Sequence, residues 1–127
     1  MAQTATESLG RCLTDGTTGK ERKELARWLF TAMAAHPEIK TMSKVTEADV
    51  DQVTRAAAAT FTKLLAGTCA KETKAAFAEG GSTALQVGFG VLGQMAMQEL
   101  MSSPQVAAAM DGLEKHIDRE KVEAALR

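Results

Sequence analysis

Cys12 and Cys69 are the only two cysteines of the chain, and each falls at a break between helical patterns. Three chemistries are open to them. A disulfide ties the first helix to the middle of the chain and closes a loop of about 58 residues, counting both ends, which chain-entropy reasoning values at about 4 kcal/mol. Two independent thiols, and a regulatory redox pair, are the alternatives. Nucleophilic catalysis needs a base beside the sulfur. The only histidines, His36 and His116, are far apart in the chain and belong to no ligand motif. Zinc needs further converging ligands, and neither cysteine has a CxxC partner. No catalytic, metal-binding or cofactor-binding residue is therefore expected, and no cofactor. Both histidines read as structural: His36 near a helix end, His116 on the polar side of the C-terminal region.

Two glycine patterns imitate phosphate chemistry. Gly88-Phe89-Gly90-Val91-Leu92-Gly93 has the letters of the dinucleotide-binding fingerprint. That motif needs a strand before it and a tight turn, whereas these glycines fall inside a helical pattern in a chain with no convincing strand. Glycines that let a neighbouring helix approach closely are the better reading. Gly16-Thr17-Thr18-Gly19-Lys20 resembles a phosphate loop, but its first glycine is two residues too close and Glu21 replaces the required Ser or Thr.

Composition narrows the partners. The chain carries 15 basic and 16 acidic residues, dispersed, for a net charge of -1. No polybasic block can neutralise phosphates, and with 4% aromatics and no tyrosine there are few stacking platforms. Nucleic acid is not an expected partner. A 13.5 kDa chain supports one domain over residues 1–127. No charged and apolar leader precedes Ala2, yet Met1–Ala5 fits a mature N-terminus with an added methionine. Periplasmic or secreted export is the expectation, and a cytoplasmic protein with two reduced thiols the alternative.

The elements that must position these residues are helices. Leu9, Cys12 and Leu13 share one face of a first pattern over Ser8–Thr14 that Asp15-Gly16 stops. Thr18 and Glu21 form a capping box for a second helix with Leu25, Trp28, Leu29, Ala32 and Met33 inward, ending near His36 because Pro37 follows. Ile39–Lys44 is a connector. Thr46 and Asp49 open a third helix carrying Val50, Val53, Ala57, Phe61, Leu64 and Leu65 up to Gly67. Thr68 is the expected cap of a fourth, Cys69–Glu79, ended by Gly80-Gly81, and the alternative is that the third helix continues through Gly67 with a kink. Ser82 is the expected cap of a fifth with Leu85, Phe89, Leu92, Ala96, Leu100 and Met101 inward. No charge occurs in the 19 residues between Glu79 and Glu99, but the glutamines and glycines there argue for a central, largely buried helix and against a transmembrane segment. Ser103-Pro104 begins a sixth helix, and Asp118 caps a last short one. The fold expected is an all-α single compact bundle of about five to seven helices, with a central uncharged helix near residues 83–101.

Leu9–Asp15, then Thr18–Lys23, Leu25–Phe30 and Ala34–Pro37, together with Cys69 and Phe89–Met101, resemble a family of small exported all-helical proteins of Gram-negative bacteria to which no activity attaches. The resemblance spans most of the chain. It implies export and a Cys12–Cys69 disulfide. The function expected is a non-enzymatic module that binds another protein as an inhibitor, immunity factor or envelope accessory protein. A carrier of a small apolar ligand, its cavity lined by the central helix, is the alternative, and an enzyme built from scattered Asp, Glu or His residues is a third reading. A homodimer through an exposed glycine and methionine face is compatible with all three. Among the methionines, Met97 lies off the main stripe and is the one expected at the surface.

Overall fold

The computed structural model describes residues 4–127, so Met1–Gln3, on which the reading of the N-terminus bears, lie outside it. The elements are α1 (Ala5–Gly16), α2 (Gly19–Ala34), the single turn α3 (Pro37–Lys40), α4 (Glu47–Lys63), a π-turn (Leu64–Thr68), α5 (Ala70–Met101), α6 (Pro104–Asp111), a 3-10 turn (Glu114–His116) and α7 (Arg119–Leu126). This is an all-α bundle, and no strand occurs among the described residues.

Side-chain caps set most of the helix starts. Thr4 Oγ1 accepts the Glu7 N–H at 3.0 Å, so α1 begins ahead of the Ser8 that the apolar pattern suggests. The Thr18–Glu21 box opens α2, with Glu21 Oε1 accepting the Thr18 N–H at 2.9 Å and Thr18 Oγ1 accepting the Glu21 N–H at 3.1 Å. Thr46 and Asp49 repeat it at 3.0 and 3.1 Å for α4. His36-Pro37 stops α2 as predicted. Part of the connector that follows is helical, because Pro37 occupies the first turn of α3 and His36 Nδ1 accepts the Glu38 N–H at 3.0 Å.

One predicted cap is not used. Thr68 starts no helix: the Cys69 N–H donates to the Leu64 carbonyl, five residues back, at 2.7 Å. The chain therefore passes from α4 into α5 through a π-turn. Ser82 does stand where a helical segment begins, directly after a kink within α5. Only Gly81 leaves helical geometry, at φ 61° and ψ -146°, a region that residues with a Cβ rarely adopt. The break predicted at Gly80-Gly81 is therefore present: two helical segments, 70–80 and 82–101, meet at a kink at Gly81 within α5.

α1 packs along α5, and α2 lies against both α4 and α5. Leu9, Leu13, Leu25, Ala57, Leu64, Cys69, Ala76, Ala84, Leu92, Met95 and Ala96 form the buried core. Trp28, Phe61 and Phe89 stack edge-to-face at 5.8 and 5.2 Å, which ties α2, α4 and α5 together. The buried face of α5 is turned about the helix axis from the predicted one. Ala84, Gly88, Leu92, Met95 and Ala96 point inward, while Phe89 and Met101 are 44% exposed. A Cβ on Gly88 would stand 3.3 Å from both Leu9 Cδ2 and Leu13 Cδ1. The close approach of α1 therefore selects the smallest residue for the contact and rotates Phe89 out of it. Val50 is likewise exposed, at the first turn of α4.

Candidate interaction surface

Cys12 and Cys69 are bonded, with their Cα atoms 5.9 Å apart. The link joins the middle of α1 to the junction of the π-turn and α5. Cys69 is fully buried, and the Glu72 carboxylate lies within 4.8 Å of both sulfurs. Among the described residues this is the one group of three potential metal ligands; its sulfurs are bonded to each other, and it includes neither histidine. His36 caps α3, and His116 lies exposed in the 3-10 turn.

The polar side of α2 is largely engaged in the fold. Glu21 is 9% exposed, and its Oε2 accepts from Lys63 Nζ at 2.8 Å. The Lys63 ammonium, followed by the Thr18 N–H, holds the Glu21 carboxyl below the usual carboxylate range against the opposing effect of burial. Arg22 Nη1 donates to the Thr17 carbonyl at 3.2 Å, and Glu24 Oε2 accepts from the Thr60 hydroxyl at 3.4 Å. Arg27 stays exposed. The Gly16–Lys20 segment is the end of α1 and the capped start of α2, which accounts for its glycines without a phosphate.

The three glycines of the 88–93 motif have two different surroundings. Gly88 is buried against α1, whereas a Cβ on Gly90 or Gly93 would meet nothing within 4 Å. Gly90 belongs to a line of exposed positions along α5: Thr83, Val87, Gly90, Gln94, Met97 and Met101. Their steps of four and three residues form a straight seam along a helix. The uncharged stretch is thus central, packed on α1 and α2, but open to solvent on one side. Met97 is exposed at 40%, as its position off the main stripe predicts.

A second apolar surface lies at the C-terminus. Among the described residues, α6 has Cα atoms within 8 Å only of α5 and the 3-10 turn, and no Cα of α7 comes within 8 Å of another helix. Met110, Leu113, Ile117, Val122 and Leu126 are between 47 and 80% exposed. The arm of residues 104–127 therefore buries little of its apolar side. The molecule exposes 9,269 Å² in all, whereas a compact monomer of this mass exposes about 6,500 Å². Sequence periodicity could not show this, because an amphipathic pattern states which face is apolar and not what covers it.

A partly enclosed apolar cavity of about 240 Å³ lies between the end of α2, residues 43–46 and the start of α4. A shallower groove between α2, the end of α5 and α6 is lined by Ala26, Phe30, Leu100 and Val106. No helix among the described residues is long and apolar enough to cross a membrane. Compared with protein-family models, curated proteins and solved structures, the chain matches none.

Proposed function

We propose that the chain is an exported, non-enzymatic protein-binding module whose C-terminal arm inserts into an apolar groove of another protein. The observation that carries this reading is the arm: five large apolar side chains on residues 104–127 stand in solvent with no helix of their own chain beside α7. An exposed apolar face of that extent is costly to leave in water and marks a surface that another molecule covers. Met110 lies at the end of α6, and Leu113 and Ile117 flank the 3-10 turn, so three exposed apolar side chains fall within eight residues of chain. The Cys12–Cys69 bond supports an oxidising compartment, where such links persist, and the roles of inhibitor, immunity factor or envelope accessory protein all fit a binder of this kind.

Photo-crosslinking in the native host tests the reading, with the reactive side chain placed at Leu113 and, as control, at the exposed Lys71 of α5. The expected result is one adduct from Leu113 that Lys71 does not give. With that protein purified, Ile117→Glu should weaken binding at least 10-fold in calorimetry, the scale of burying an unpaired charge. Equal affinity for Ile117→Glu and the parent chain sinks the proposal.

A further inference from the structure

We infer that the seam on α5 joins two copies of this chain into an antiparallel dimer. This goes beyond the arm and concerns a different face of the molecule. Thr83, Val87, Gly90, Gln94, Met97 and Met101 are all exposed, and they span about 27 Å of straight helix. Their 4-3-4-3-4 spacing is that of a two-helix seam, in which each side chain sits among four of the facing helix.

A second copy is the occupant for two reasons. No charge occurs anywhere from Gly80 to Gln98, so a charged partner face would lose its water and find no counter-charge, whereas the same face on another copy brings none. The seam is also complementary to itself when the second helix runs the other way. A two-fold axis between Gly90 and Gln94 sets Gln94 of one copy over Gly90 of the other, Val87 over Met97, and Thr83 over Met101. Large faces small at each step, and the open space above Gly90 takes the glutamine. Parallel pairing would instead stack Gly90 on Gly90 and leave a void.

The full, oxidised chain should sediment at twice 13.5 kDa at micromolar concentration. Met97→Glu places two like charges in one seam and should raise the dimer dissociation constant at least 100-fold. Its far-UV spectrum and melting temperature at low concentration should match the monomeric parent, because Met97 is 40% exposed in the single chain. Direction is read by mixing a Val87→Cys chain with a Met97→Cys chain under mild oxidation. Antiparallel pairing yields the mixed cross-link and little of either homodimer. A monomeric parent chain, a dimer indifferent to Met97→Glu, or a dimer abolished by Leu113→Glu in the arm each overturns the inference. A monomeric parent leaves the arm reading standing, because that rests on an adduct from Leu113.

Discussion

Reduction of the Cys12–Cys69 bond should remove a large part of the stability of the chain without dismantling its fold. The two cysteines are 57 positions apart, and the unfolded chain gains the freedom of a loop of that length when the link opens. The entropic relation gives about 4 kcal/mol, against the roughly 5–15 kcal/mol typical of a whole domain. The reduced native state keeps its packing, because Leu9 and Leu13 are fully buried and α1 lies in the approach that Gly88 allows. Reduction of the parent chain is the clean perturbation. Replacing Cys69 by Ser would put a hydroxyl at a site with no exposure and add a desolvation cost of its own. The assay is urea unfolding of oxidised and reduced protein, followed by the fluorescence of the single tryptophan, Trp28. With a slope near 2 kcal/mol per molar urea, the midpoint should fall by about 2 M while the far-UV spectrum in water keeps its helical shape. Midpoints within about 0.5 M of each other, at equal slopes, refute the reasoning. The bond would then constrain a denatured state that is already compact.

Glu21 should make the fold acid-sensitive. Its carboxyl is held below the ordinary value of 4.5 in the native state by Lys63 and the Thr18 N–H, so the stabilisation is present above that value and fades as pH falls through and below it. Glu21→Gln should flatten that part of the stability profile in thermal melts between neutral pH and pH 3, and an unchanged slope there contradicts the role given to Glu21. Gly81→Ala should cost about 1–3 kcal/mol in urea unfolding, since alanine must adopt φ 61°; a neutral substitution would mean that the bend relaxes into continuous helix. Gly93→Ala, where a Cβ meets nothing within 4 Å, should raise stability by up to about 1 kcal/mol through helix propensity. Gly88→Leu should lower it by about 1–3 kcal/mol or more through overpacking. A melting temperature that moves in the same direction for both refutes the assignment of Gly88 to the α1 contact.

Local chemistry was legible in the sequence wherever one turn of chain carries it. The Thr18–Glu21 and Thr46–Asp49 boxes, the Ser103-Pro104 start, the Asp118 cap and the stop before Pro37 are all present. Features that depend on two segments meeting were less so. Thr68 has the residue type of a cap, but the hydrogen bond from the Cys69 N–H to Leu64 passes over it, and the chain takes the kinked continuation through Gly67 that was the alternative to a new helix. Of the residues expected inward on α5, Leu92 and Ala96 are buried, whereas Phe89 and Met101 are exposed, because the geometry of α1 against α5 favours Gly88 at the contact. Glu21, Arg22 and Glu24 are charged residues of α2, yet each finds a partner on the fold. A charged residue at a capping position has two readings until its neighbour across the bundle is known.

The uncharged stretch from Gly80 to Gln98 shows why polarity alone misleads about burial. Absence of charge was read as interior, and for Ala84, Leu92 and Ala96 that is correct. The opposite side of the same helix is equally free of charge, although water covers it in the single chain. A solvated helix face ordinarily carries Lys or Glu at little cost, so a sequence that omits them over this length must satisfy two apolar or close-packed neighbours. α1 supplies one of them, through Gly88. The 4-3-4-3-4 line through Gly90 is the place for the other.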